Sequence, residues 1–220
     1  MTDPRPELHR EFRIDEAALR RALLAPVAAP GGDGELDPEG APELRRLRPA
    51  AVLAAVARRP QGLTLILTQR PQTMRVHAGQ IAFPGGKIDA GDRSPLHAAL
   101  REAREEIGLH AHEVEILGPF ERYVTRTGFA IAPFVGLVDA GFRPIPQPGE
   151  VEAVFEAPLD WVLNPANQVR MRREFNGAIR SFWAIHYERW FIWGATAGMI
   201  RRLSERVTAQ SAAAATATGA

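Results

Sequence analysis

The chain has 220 residues, 45% of them hydrophobic, with 27 Lys and Arg against 26 Asp and Glu and no cysteine. That composition is globular and suits one good-sized domain with appendages. It excludes disulfides, thiolate metal sites and a cysteine nucleophile, and a net charge of +1 argues against a nucleic-acid partner.

Residues 1–21 are strongly charged (Glu7, Arg10, Glu11, Arg13, Asp15, Glu16) and lack the apolar core of a signal peptide. The longest apolar run, residues 49–57, is far short of the roughly 20 residues that cross a bilayer. A cytoplasmic protein with no membrane partner is expected. Ile14, Ala18, Leu19 and Leu23 recur at helical spacing over residues 12–24, and residues 26–42, rich in Gly, Pro and Ala, read as a flexible connection. Residues 1–45 are thus expected to form an N-terminal helix and arm, with the main domain over 46–207. The Ala- and Thr-rich tail, 208–220, is expected to be disordered.

Within the domain, residues 50–57 and 63–68 are strand-length apolar runs around the break Arg58-Arg59-Pro60-Gln61-Gly62. Beyond a central helix, strands are predicted over 112–120, 131–138 and 151–157, where Val151, Ala153 and Phe155 alternate with Glu152, Val154 and Glu156. Residues 158–163 form a helical turn or two, stopped by Asn164-Pro165. Two more strands, 169–175 and 181–187, flank the turn Asn176-Gly177. From Ile192, residues Thr196, Met199, Ile200, Leu203 and Val207 make the apolar stripe of a closing helix. Many strands and few helices, without regular alternation, predict a mixed sheet with helices on its faces.

The central helix carries the chemistry. Ser94 is a natural N-cap, Pro95 a natural first helical residue and Gly108 a natural stop. Leu96, Leu100, Ala103 and Ile107 form its apolar stripe, which sets Glu102, Glu105 and Glu106 together on the opposite, exposed face. A solvated face with Arg101 and Arg104 pairing the glutamates would look the same. Against that, Glu102 and Glu106 repel each other at i,i+4, and Glu105 and Glu106 oppose the helix dipole in the last turn. A divalent cation would reverse both penalties. Carboxylates without sulfur suit a hard ion such as magnesium or manganese. The Gly85-Gly86 loop ahead of the helix can bring backbone close to that ion and its ligand. On these grounds metal-assisted hydrolysis of a phosphorus ester or anhydride is the reading of the residues alone.

Gly86, Asp92 and Arg101-Glu102-Ala103-Arg104-Glu105-Glu106-Ile107-Gly108-Leu109 closely resemble the Nudix box, Gly-x5-Glu-x7-Arg-Glu-U-x-Glu-Glu-x-Gly-U with U aliphatic. Asp92 stands where the first Glu usually is, and eight residues rather than seven separate it from Arg101. Upstream, Leu67-Thr68-Gln69-Arg70, Arg75, Gly79 and Phe83-Pro84-Gly85-Gly86 are similar to the signature of the coenzyme A pyrophosphatases of that superfamily, with Ile66 and Pro71 as mismatches. Residues 192–197 resemble the opening of the same subfamily's last helix, so the likeness spans about 46–207.

The resemblance implies an α/β (α+β) Nudix fold, a mixed β-sheet between α-helices. It implies Glu102 and Glu106 as main metal ligands and Glu105 as a further ligand or the residue that positions water. Arg101 would orient the glutamates, and Mg2+ or Mn2+ would be the cofactor. The implied reaction is hydrolysis of the pyrophosphate bond of coenzyme A or its derivatives, to 3′,5′-adenosine bisphosphate and 4′-phosphopantetheine or its acyl form. Arg70, Arg75, Gly85 and Gly86 are the candidate substrate contacts, since guanidinium forks suit phosphate oxygens. Two alternatives stay open: a Nudix pyrophosphatase of ADP-ribose, dinucleoside polyphosphates or nucleoside triphosphates, and a catalytically silent nucleotide- or partner-binding module. A homodimer is compatible with the sequence.

Other residues carry weaker signals. Glu150 and Glu152 are candidate loop bases, because Nudix enzymes often recruit one. Lys87 reads as a surface lysine, and His77 and His97 as packing or surface residues without a second ligand at metal spacing. Tyr187, Trp190, Phe191 and Trp193 read as core aromatics, and residues 123–129 as a polar turn.

Overall fold

The computed structural model describes residues 12–38, 47–73, 78–175 and 177–218. In chain order its elements are α1 (Glu16–Leu24), β1 (Gly31–Gly32), β2 (Arg48–Arg59), β3 (Gly62–Gln69), β4 (Ile81–Ala82), β5 (Gly85–Lys87), α2 (Pro95–Ile107), β6 (Val114–Pro119), β7 (Tyr123–Val124), β8 (Phe129–Val138), β9 (Ala153–Pro158), α3 (Leu159–Val162), β10 (Gln168–Phe175), β11 (Ala178–Tyr187), β12 (Trp190–Trp193) and α4 (Ala195–Thr218).

The strongest apolar run of the sequence becomes the central strand. β2 is buried without interruption over residues 50–57, the pattern of a strand covered on both faces. It runs parallel to β8 from Arg48–Phe129 to Ala57–Val138 and antiparallel to β3 through a tight hairpin. β9 pairs with the far side of β3, and β6 and β7 both pair with β8. Side chains alternate across this mixed sheet. Ala51, Leu53, Ala55 and Ala57 pack on one side with Ala98, Ala99, Ala103 and Ile107 of α2. Val52, Ala54 and Val56 pack on the other with Leu19 and Leu23 of α1 and Ile200 and Leu203 of α4. The sheet is therefore sandwiched between helices, as expected. β10, β11 and β12 make a separate antiparallel sheet.

The site is positioned where β2 and β3 part. β2 meets β3 only through residues 56–59, while its earlier residues 50–52 pair with β5, and β4 pairs with the far end of β3. The glycine loop thus enters the sheet as a wedge and leads into α2. That helix starts and stops as its sequence predicts: Ser94 Oγ accepts the His97 N–H at 3.1 Å, Pro95 opens it, and Gly108 closes it at φ 72°. The buried face differs from the predicted stripe. Ala98, Ala99, Ala103 and Ile107 are fully buried, with Leu100 only half-buried beside them. Alanines allow the helix backbone to approach β2 closely, so small residues rather than leucines carry the contact.

Three stretches depart from expectation. α1 is no detached arm, because Leu19 and Ala22 are fully buried in the common core. Residues 31–37 form an ordered strap rather than a flexible link. β1 pairs parallel with β7, Asp33 accepts from Tyr123 Oη (2.7 Å) and the Arg126 N–H (2.8 Å), and Asp37 accepts from the Ser181 N–H (2.6 Å). A Cβ on Gly32 would strike the Val124 carbonyl, so the glycines read as flexible are what permit the close approach. Finally, Ile192 lies in β12, and α4 runs on to Thr218, into the predicted disordered tail. The tail's alanines are the best helix formers.

Arg206 joins α1 to α4. Its Nε donates to Ala22 O at 2.8 Å and its Nη1 to Pro26 O at 3.2 Å, with Ala25 O also accepting from Nη2. Nη1 pairs with Glu121 Oε1 at 2.5 Å, and the two side chains are 6% and 9% exposed. Removing one partner of such a buried pair strands the other's charge. Arg206→Ala is expected to cost about 3–5 kcal/mol in urea denaturation; a loss below about 1 kcal/mol would show that the pair contributes little.

Candidate active site

The loop and the helix are tied by one guanidinium. Arg101 Nε and Nη2 grip both oxygens of Asp92 (3.1 and 3.0 Å), and Nη2 also donates to Lys87 O (3.2 Å). Nη1 reaches Glu102 Oε1 and Glu105 Oε2, both at 3.0 Å. A guanidinium has five N–H donors, and these contacts occupy all of them. Asp92 is equally saturated, its two oxygens also accepting from the Asp89 N–H (2.9 Å) and from His97 Nδ1 (3.0 Å). Its side chain is 1% exposed, and the Arg101 fork holds its carboxyl well below the usual carboxylate range. Asp92 therefore anchors Arg101 despite the longer spacing between them.

The three glutamates do not share one exposed face. Glu105 is half exposed, Glu102 is half-buried, and Glu106 is 6% exposed beneath the glycine loop. Glu106 Oε2 accepts the Gly85 N–H at 3.1 Å. Burial pushes its carboxyl up to about 7; the Gly85 N–H and Arg70 pull it down, while Glu102 and Glu150 push it further up. Burial also raises Glu102, with Arg101 opposing. Helical periodicity located these side chains around α2 correctly; it could not register the segment that folds back over one of them. The glycines are needed for that cover. Gly85 holds φ 153° with β2 backbone where a Cβ would sit, and a Cβ on Gly86 would strike the Glu102 carboxylate.

A model of the NUDIX domain family matches residues 47–176. The chain is a Nudix hydrolase. It is 40% identical over 163 residues to the uncharacterized Nudix hydrolase NudL of Klebsiella pneumoniae (strain 342), covering 74% of this chain and 84% of that protein. It is 41% identical over 160 residues to NudL of Escherichia coli (strain K12 / DH10B), covering 73% and 83%. Among solved structures, a MutT/nudix family protein from Enterococcus faecalis has 15% identity and a TM-score of 0.46, covering 76% of this chain and 64% of that one. Membership of this family makes the chain an enzyme acting on pyrophosphate bonds, with a divalent metal general to the family.

Of the residues singled out in the sequence, Arg101, Glu102, Glu105, Glu106, Gly85 and Gly86 come together around the loop–helix junction of this Nudix hydrolase. Arg70 belongs with them: its charge acts on Glu106, its backbone N–H donates to Gln80 O at 3.0 Å, and its buried side-chain Nε has no hydrogen-bond partner among the described residues. Arg75 and His77 lie outside the described residues. Of the loop glutamates, Glu150 acts on Glu106. Its loop is latched to the end of α2 through Gln147 N to Glu106 O (2.9 Å) and Ile145 N to Ile107 O (3.0 Å). Glu152 instead begins the approach to β9, donating to Gln69 O at 2.8 Å. Lys87 is exposed and contributes its carbonyl. Residues 123–129 meet the strap, and Trp190 stacks on Phe155 in the core at 4.1 Å.

Sequence reading missed His97. Without a second ligand at metal spacing it reads as a packing or surface residue, yet its Nδ1 bonds the Asp92 carboxylate. The available signal was its place three residues after the Ser94 cap, which turns the ring back toward the loop. Among the described residues no helix is long and apolar enough to cross a membrane.

The raised Glu106 has a consequence for the metal-free protein. Because its folded value, about 7, exceeds the ordinary 4.5, the folded state binds the extra proton between those limits. Its contribution to stability must fall as pH rises through that window. In urea melts, Glu106→Gln is expected to remove a downward slope that wild type shows from about pH 4.5 to about 7; parallel profiles for the two proteins would contradict the buried, charge-starved carboxyl.

Proposed function

We propose that this Nudix hydrolase cleaves the pyrophosphate bond of coenzyme A or its derivatives with Mg2+ or Mn2+ as cofactor. The observation that carries the reading is Arg70, a residue of the upstream signature that resembles the coenzyme A pyrophosphatases. Its guanidinium lies close enough to act on Glu106 and keeps a buried donor unspent. A donor without a partner in an acidic pocket is costly, and a substrate phosphate oxygen would satisfy it. Arg75, from the same signature, is the second candidate phosphate contact.

The donor set fits a hard divalent cation. Glu102 and Glu105 already converge on one positive nitrogen, and Glu106 is a buried carboxylate short of counter-charge. Among the described residues no three acidic or histidine side chains yet form a complete metal-holding group. Glu102 and Glu106 would be the principal ligands, with Glu105 completing the site or positioning water. When bound, such an ion polarises the phosphoryl group and lowers the pKa of the attacking water. The chain's own residues do the remaining work. Arg70 would offset charge on the phosphate oxygens, Gly85 and Gly86 would contact the phosphates through their backbone, and Glu105 or the loop glutamate Glu150, whose charge acts on Glu106, would take the proton from water. Water adds across the P–O–P linkage, giving 3′,5′-adenosine bisphosphate and 4′-phosphopantetheine or its acyl form.

The test is turnover of coenzyme A, 3′-dephospho-coenzyme A and ADP-ribose side by side with Mg2+ or Mn2+, with products identified by mass. Coenzyme A is expected to be preferred, and Glu106→Gln to lose at least about a hundredfold in rate while remaining folded. Preference for ADP-ribose would overturn the substrate; near-wild-type turnover by Glu106→Gln at saturating metal would overturn the site.

A further inference from the structure

Arg101 makes two kinds of contact, and they lie on opposite sides of its guanidinium. Nε and Nη2 face the loop, held by Asp92 and Lys87 O; Nη1 faces the helix and bridges Glu102 and Glu105. The loop side is the stronger anchorage. It is bidentate, its acceptor is a buried and fully satisfied carboxylate, and such paired forks are the firmest ion pairs proteins make. The helix side consists of two single bonds from one nitrogen, one of them to the half-exposed Glu105, where solvent screens the attraction. Glu106 receives no hydrogen bond from Arg101 and is left without comparable compensation.

Building on the metal-dependent reading above, we propose that Arg101 is the resident counter-ion of the metal-free site, and that a divalent cation enters by displacing Nη1 from Glu102 and Glu105. The fork need not leave the loop for this. Nε and Nη2 keep Asp92 and Lys87 O while Nη1 gives up its two acceptors, so exchange is confined to one nitrogen and the loop–helix junction stays intact. The same arrangement explains how like-charged side chains one turn apart are tolerated before metal arrives, since each would otherwise repel the others. Metal loading is then a cation exchange, in which the glutamates trade a guanidinium for a divalent ion. If Arg101 served only to pre-orient the glutamates, its loss would weaken metal binding. As a competitor for the same oxygens, its loss must strengthen binding. The two roles differ in sign.

Direct binding of Mn2+, followed by the spectroscopic signal of the free ion, and metal-dependent thermal melts of the full chain provide the test without reference to turnover. Arg101→Gln is expected to bind Mn2+ with a Kd lower by about threefold or more. Without metal it is expected to melt below wild type, and to gain more in Tm on adding Mn2+. Equal or weaker binding would overturn the exchange. Should Arg101→Gln fail to fold, Arg101→Lys carries the same test of sign, because it keeps a charge but surrenders the bridging fork. Glu102→Gln separates this proposal from the reading beneath it. Weaker Mn2+ binding by Glu102→Gln is required by the metal site itself. Binding by Glu102→Gln equal to wild type, or no saturable Mn2+ binding by wild type, would remove the metal site and the exchange with it.

Discussion

Every donor on the Arg101 guanidinium is committed, and the functional region is organised around that fact. Two of its nitrogens hold the loop through Asp92 and the Lys87 carbonyl, and the third holds the helix glutamates. The ion pair is mutual: Asp92 holds the guanidinium proton more firmly, and the guanidinium keeps Asp92 ionised. A single planar cation thereby fixes the distance between a glycine loop that belongs to the sheet and a helix that packs on it. A lysine, with one point charge and a flexible stem, would not impose the same geometry.

Around that cation the acids are graded by burial. Glu105 is open to solvent, Glu102 is half covered and pressed against Gly86, and Glu106 is enclosed beneath Gly85. Burial raises the proton affinity of Glu102 and Glu106. The gradient arises because β5 crosses over one end of α2 and because Arg101 reaches only two of the three. Desolvating Glu106 disfavours its charged form and costs stability at neutral pH.

The rest of the chain serves to hold β2 and α2 in register. Among the described residues β2 pairs with both the glycine loop's β5 and the parallel strand β8, so a shift in it would move the site. Its two faces are covered by different helices. Arg206 and the buried Glu121 close the far layer by fastening α1 to α4, and the 31–37 strap ties β7 to β11 through Asp33 and Asp37.

By itself the sequence determined most of the longer elements and the family. The Ser94 cap, Pro95 and Gly108 bounded α2; the alternation and apolar runs located β2, β3 and β9; and the spacing of Arg101, Glu102, Glu105 and Glu106 identified the family. These are local signals, written in spacings of a few residues along one element. Tertiary structure decided that Glu106 is buried while Glu105 is not, that Asp92 anchors Arg101 with His97 bonded to that same Asp92, and that Gly31-Gly32 is a docking strand. It also turned α2 onto its alanines instead of its leucines. Each of those outcomes depends on what a distant segment lays across a surface. Periodicity specifies which side chains share a face of a helix, but burial, proton affinity and hydrogen-bond partners are set by the group that comes to lie against it.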